Sequence, residues 1–208
     1  MLPLDVVSLF VAASVALAFA PGPDNLFVLT QSALHGRMAG VLVTLGLCTG
    51  VLVHTAAVAL GVAAVFATSA FAFNALKIVG ATYLLYLAWQ AWRAGASDLA
   101  SNESPKLTGM QLYRRGIIMN VTNPKVAIFF LAFLPQFADP ERGQLTVQIF
   151  LLGLLFIAVA LVVFCAIAWF AGFLGSWLRQ SGRAQVIMNR MAAGVFGLLA
   201  LRLVVAER

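Results

Sequence analysis

Charge is what this sequence has least of. Asp and Glu together number 7 and Lys and Arg 13, so only 10% of the 208 residues are charged while 62% are hydrophobic. An ordinary soluble domain is roughly 25% charged and 45–50% apolar, and the deficit excludes a cytoplasmic enzyme, a nucleic-acid-binding module and a disordered hub. The net charge of +6 then reads as loop topology, because basic residues collect in the cytoplasmic loops of multi-span proteins. Thiol and metal chemistry lack their residues as well. The 2 cysteines, Cys48 and Cys165, lie deep in apolar runs with no CxxC or Cys/His spacing, and they read as packing residues. An intramembrane enzyme would need a nucleophile with its base, or a metal cluster, and neither is present, so no catalytic site, metal or cofactor is expected. No Lys or Arg precedes the first apolar run, where a cleaved signal peptide carries a basic segment. Ala18-Phe19-Ala20 mimics a cleavage site, but Pro21 follows it, and residues 1–20 are expected to stay as part of the first span.

What is present is apolar sequence in runs long enough to cross a bilayer. Six runs, at about 4–34, 38–66, 72–93, 111–137, 145–178 and 186–206, predict an all-α integral membrane protein of six transmembrane helices forming one domain. The connections are short except for a Gly/Ser/Asn-containing loop at about 94–110. The first, third and fifth connections hold Arg37, then Arg93, Lys106, Arg114 and Arg115, then Arg179, Arg183 and Arg190. Lys77, Arg142, Arg202 and Arg208 fall on the other side. This asymmetry predicts both termini outside and the central loop in the cytoplasm. Trp89 and Trp92 beside Arg93, and Trp177 beside Arg179, suit interfacial anchors.

A single helix over the first run would be about 46 Å long, against a hydrocarbon core of about 30 Å. A break is required, and Pro21-Gly22-Pro23-Asp24 supplies it. Pro21 and Pro23 donate no backbone hydrogen bond and clash with the carbonyls of Leu17 and Phe19. Those carbonyls are thereby freed for a cation, an ammonium group or water. Asp24 suits the N-cap of a second half-helix; a kinked helix with a merely structural cap is the alternative. In the fourth run Asn123 suits an N-cap, Pro124 the first helical position and Lys125 the first turn, where a cation opposes the helix dipole. Lys125 therefore calls for an anionic partner: Asp24, in a permanent ion pair between the halves, or a substrate carboxylate.

Pro23-Asp24 and Pro124-Lys125 are offset by close to half of the 208 residues. The halves read as repeats, about 1–93 and 111–208, of three spans each. An odd number of spans makes the second copy inverted, and broken segments at matching places of inverted repeats point to a transporter's binding site. In the second run Gly46, Gly50, His54 and Gly61 share a narrow small-residue face that lets another helix approach. His54 on that face is a candidate proton relay or a packing histidine. Tyr83, Asn120 and Gln136 are further polar candidates for a cavity.

Five stretches carry a family resemblance: Ala20-Pro21-Gly22-Pro23-Asp24, the glycine ladder with His54, residues 77–84 from Lys77 to Leu84, residues 120–125 from Asn120 to Lys125, and residues 133–137 from Phe133 to Phe137. Together they resemble the LysE/RhtB family of bacterial amino-acid exporters. The resemblance implies export of an amino acid across the bacterial inner membrane, energised by the proton motive force, and adds functional weight to Asp24 and both broken motifs. A five-span arrangement with the N-terminus inside has been proposed in that family, whereas the charge asymmetry here favours six. The expected partners are an amino acid, protons and the bilayer, with the oligomeric state open. The substrate ammonium is expected on Asp24 and the freed carbonyls, its carboxylate on Lys125 and a half-helix N-terminus. Apart from Asp24 no carboxylate falls inside a run, so a neutral substrate such as threonine, homoserine or leucine is expected. Export of a basic amino acid and a passive channel are the alternatives.

Overall fold

In a bilayer every backbone polar group must be satisfied inside its own segment, so long apolar runs fold as helices. Every regular element among the described residues is helical. The structure is a computed structural model that describes residues 2–20, 22–68, 70–95, 107–173 and 181–205, without the side chains of 62–73, 76 and 184. Its helices are α1 (Leu4–Phe19), α2 (Pro23–His35), α3 (Arg37–Thr68), α4 (Ala70–Arg93), α5 (Gly109–Val121), α6 (Pro124–Ile128), α7 (Leu145–Trp169) and α8 (Gly182–Val205). A π-helical turn at Phe129–Phe133 and a 3-10 turn at Leu134–Phe137 continue α6.

Three helices, Arg37–Gly61, Leu145–Trp169 and Gln185–Val205, are long and apolar enough to cross a membrane. Two pairs qualify as broken spans, α1 with α2 at 61° and α5 with Pro124–Phe137 at 50°, which brings the number among the described residues to as many as five. The expected six-run pattern is matched in helix positions, with α4 standing in the third run. Most of the expected long loop and Trp177 lie outside the described residues.

Local sequence sets the helix ends. Gly36, which ends α2, has φ of 87°, a left-handed conformation that costs a side chain with a Cβ. Thr108 and Gln111 form a capping box at the start of α5, the Thr108 N–H donating to Gln111 Oε1 at 2.8 Å. Between the 3-10 turn and α7, Asp139 accepts from the Glu141 N–H at 2.9 Å and from Arg142 Nε at 2.8 Å. The Glu141 N–H foremost, and the Arg142 guanidinium with it, hold this exposed carboxyl below the usual carboxylate range.

Packing then positions the site. The small-residue face of α3 lies against α5: a Cβ at Gly46 would collide with the Tyr113 carbonyl, one at Gly116 with the Val43 carbonyl, and one at Gly50 would come 2.7 Å from Asn120 Cβ. The close approach seats Asn120 directly on α3. Gly61 takes no part in it, since no described atom lies within 4 Å of a Cβ there. On the opposite flank a phenylalanine cluster joins α1 to the second half of the chain. Phe10 sits 5.1 Å from Phe137 and 6.5 Å from Phe129, and Phe129 sits 5.7 Å from Phe156 of α7. Arg–Trp stacks tie helix ends together, Arg37 over Trp169 at 4.2 Å and Arg190 over Trp92 at 5.3 Å, while Arg93 lies over Trp89 of its own helix at 5.0 Å. Each such stack contributes about 0.5–1 kcal/mol where exposed.

Candidate functional site

The first break opens three carbonyls. Gly22, extended at φ −174°, is the N-cap of α2 and Pro23 fills the first helical position. The end of α1 is therefore left facing the start of α2 with no shared hydrogen-bond ladder. The expectation that Asp24 is the cap is corrected: it sits two residues past the cap, in the first turn, with its carboxylate at the positive end of the α2 dipole. Pro21 lies outside the described residues. At the second break Asn123 is the N-cap, its Oδ1 accepting from the Lys125 N–H at 3.0 Å, with Pro124 in the first helical position. Both sequence expectations for that break hold.

Lys125 reaches across from the second break to the first. Its Nζ donates to the Ala20 carbonyl at 3.0 Å and to the Leu17 carbonyl at 3.4 Å, so the cation rests at the negative C-terminal end of α1. It forms no ion pair with Asp24. Of the two anionic partners expected, Asp24 is thus replaced by carbonyls; of the two carbonyls named from the proline clash, Leu17 is used, and Ala20 takes the place of Phe19. The energetics explain the exchange. A lysine inside a span costs roughly 2.5–3.5 kcal/mol, and two hydrogen bonds from a charged donor, each about 1.5–3 kcal/mol, offset it without a counter-ion. Gly22 makes the approach feasible: a Cβ there would stand 3.1 Å from Lys125 Nζ. The third carbonyl, of Ala18, accepts from Asn25 Nδ2 at 2.6 Å.

Asp24, only 2% exposed, accepts from Asn120 Nδ2 at 3.4 Å through one oxygen, and its other oxygen, Oδ1, has no partner. His54, half-buried on α3, donates from Nε2 to the Asn120 carbonyl at 3.1 Å, its ring 5.9 Å from that of Phe130. His54, Asn120 and Asp24 therefore form one connected set, with Asn120 as the bridge.

Two spaces meet at Lys125. One is an open cavity of about 630 Å³ lined by Gly22, Pro23, Tyr83, Asn123, Pro124 and Lys125, with Gln90, Arg93 and Asn189 towards the ends of α4 and α8. The other is a closed pocket of about 20 Å³ holding Asp24, Asn120 and the opposite side of Lys125. Most of the residues singled out from sequence are thus brought together, in two groups divided by one ammonium. Gln136 is not among the residues lining either space. An apolar groove of about 430 Å³ along α1, α2, α7 and α8 takes in none of the candidate site side chains, and Asn25 is its one polar side chain among the described residues. Sequence reasoning missed Asn25, whose adjacency to Asp24 in the break was its signal. It also missed Gln90 and Asn189, which carry none: Asn189 enters by pinning the end of α4, its amide on the Ala94 and Gly95 carbonyls at 3.2 and 3.3 Å. Among the described residues the open cavity is lined by two cations and no carboxylate.

A family profile described as "LysE type translocator" matches residues 15–207. The chain belongs to that family. It is 34% identical over 199 residues to a homoserine/homoserine lactone efflux protein of Salmonella typhimurium and 33% identical to the one of Salmonella typhi, covering 95% of each chain. It is also 30% identical over 187 residues to an uncharacterized membrane protein of Vibrio cholerae, covering 90% of both. No solved structure matches it. The translocator family implies a small-molecule substrate and a membrane setting.

Proposed function

We propose that this translocator exports a neutral amino acid or close derivative, of the homoserine, threonine or leucine kind, from the cytoplasm across the inner membrane in exchange for protons. The carrying observation is Lys125: one ammonium from the second broken helix sits on the carbonyls opened in the first, between an open cavity and the pocket of Asp24. A zwitterionic substrate in the cavity offers a carboxylate to Lys125 and an ammonium to the carbonyls of Leu17 and Ala20 and to the unpartnered oxygen of Asp24. Substrate binding then exchanges one set of partners for another with little net desolvation. A proton arriving on Asp24 weakens its hold on the ammonium and closes the exchange cycle.

That no carboxylate stands among the described residues of the cavity lining supports a neutral side chain, since a second buried cation would find no counter-ion among them. The efflux relatives carry homoserine or its lactone in their names, in keeping with that charge balance. Six spans in two inverted halves agree with the local match of the breaks, where Pro23 and Pro124 both hold the first helical position. They agree also with the packing of would-be equivalents against each other, α3 on α7 and α4 on α8. Arg93 in the cavity lining and Arg190 stacked on Trp92 beside it support a cytoplasmic cavity mouth.

The test is counterflow in proteoliposomes with labelled homoserine, threonine, leucine, lysine and arginine, with and without a pH gradient. Homoserine or another neutral amino acid should exchange and should be concentrated by the gradient. Exchange confined to lysine or arginine, or flux indifferent to the gradient, contradicts the proposal.

A further inference from the structure

Of the eight buried side-chain polar atoms without a hydrogen-bond partner among the described residues, five sit on one helix, α2: Asp24 Oδ1, Asn25 Oδ1, Gln31 Oε1, Ser32 Oγ and His35 Nε2. Buried polar atoms are nearly always paired, with protein or with ordered water, so their concentration on one helix calls for a cause. The remaining buried hydroxyls behave otherwise. Ser14, Thr44 and Thr55 each donate to the carbonyl four residues earlier, at 2.7, 2.8 and 2.8 Å. Ser32 makes no such bond.

Spacing arranges these atoms in a line. Asp24, Gln31 and His35 are seven and four residues apart and share one face of α2, while Asn25 and Ser32 form the adjoining strip. The line runs about 16 Å, from the break to the last turn. Helical side chains lean towards the N-terminus, so the Gln31 amide leans back towards Asp24. Gln31 is 1% exposed and Ser32 6%, which removes bulk solvent as their partner. Ser32 stands where α2, α3 and α7 meet: a Cβ at Gly40 of α3 would collide with its Oγ and lie 2.9 Å from the Ala168 methyl. A residue larger than glycine at position 40 would therefore close the line.

We propose that a file of water along this face of α2 conducts protons between Asp24 and the end of the bundle marked by His35 and Arg37. The proposal rests on the reading of Asp24 as the coupling group. The Asp24 carboxyl gives its proton to the first water. Each following oxygen, water or the Ser32 hydroxyl, accepts one proton and passes on another, until His35 Nε2 or the outer water takes it. Gln31 Oε1 carries no proton but accepts a hydrogen bond that orients the file. The charged or titratable groups on the elements packed against α2 are Arg37, Cys48 and His54 of α3, Tyr113, Arg114 and Arg115 of α5, and Cys165 of α7. Lys125 and His54 stand on the Asp24 side, Arg115 is turned onto the Phe27 ring at 4.9 Å, and Arg37 lies beyond His35. In an exporter with a cytoplasmic cavity mouth, the file is the route by which the coupling proton leaves for the cytoplasm.

Labelled homoserine in proteoliposomes tests it, comparing pH-gradient-driven uptake with counterflow exchange for wild type, Gln31→Leu and Ser32→Ala. Gradient-driven uptake should fall about tenfold in Gln31→Leu and about threefold in Ser32→Ala, with counterflow kept within about twofold, and Gln31→Glu should restore most of the drive. Wild-type gradient-driven rates in both variants overturn the file, as does a parallel fall of counterflow, which is the mark of lost packing. Where Gln31→Leu fails to insert, Gln31→Met, of the same length, gives the deciding rates. A wild-type protein indifferent to the gradient overturns the coupling reading of Asp24 and the file with it; a coupled wild type with equally coupled variants overturns the file alone.

Discussion

The two helix breaks use the same device, a proline at the first helical position, and satisfy their exposed backbone in opposite ways. The second break is closed from within: Asn123 accepts from the Lys125 N–H, and the Thr122 hydroxyl returns to the Ile118 carbonyl at 2.8 Å. The first break draws one partner from its own half, Asn25, and the other from the far half of the chain, Lys125. A break capped by its own residues is a fixed piece of structure. A break capped by a side chain from elsewhere holds only while that side chain stays, and it can be opened by a competitor bearing the same chemistry. An amino acid's ammonium is such a competitor.

Lys125→Met should have the largest effect, because it removes the cap of the first break and keeps the bulk of the side chain. Counterflow should fall by at least about a hundredfold, and thermal unfolding in detergent should show a loss of about 3 kcal/mol, the scale for breaking a buried charged interaction. Gly22→Ala tests the same cap from the other side. Its Cβ would stand 3.1 Å from Lys125 Nζ, and transport should fall about tenfold with about 1–2 kcal/mol of destabilisation from overpacking. Asn123→Ala removes the cap of the second break and leaves Lys125 on the first; it should cost about 1 kcal/mol, with a smaller change in transport than Gly22→Ala, about threefold. Equal transport losses in Gly22→Ala and Asn123→Ala would erase the distinction between the breaks.

The smallest effect is expected outside both breaks, at Asp139. Its carboxyl is held low by the Glu141 N–H and by Arg142, so the turn's contribution is complete above the ordinary carboxylate range and is lost as pH falls through the lowered value. Asp139→Asn should leave transport at neutral pH unchanged while flattening the acid limb of a thermal-stability profile.

Much of this was legible in the chain because hydrophobic length, proline and charge are local signals. The helix positions, both breaks, the Asn123 cap and the cross-half role of Lys125 followed from runs and from residues that break helical rules. That Lys125 rests on carbonyls rather than on Asp24 escapes the sequence because a carbonyl leaves no mark in a side-chain alphabet. The cap of α2 falls two residues before Asp24 because Gly22, without a side chain, serves as N-cap through its backbone conformation alone. Gln31, Ser32 and His35 went unnoticed because seven- and four-residue spacing of polar groups on a helix usually marks a solvated face; only burial distinguishes them. The fit between Gly50 and Asn120, which holds Asn120 against Asp24, depends on the crossing of α3 and α5 and cannot be read from either segment alone.

Proton coupling at Asp24 is the center of the account, and Asp24→Asn measures it most directly. The amide keeps the shape and the Asn120 contact but exchanges no proton. In proteoliposomes with an imposed pH gradient, the variant should insert and elute as wild type does yet show no gradient-driven accumulation of labelled homoserine. Accumulation at the wild-type rate with an unchanged pH dependence would contradict the account.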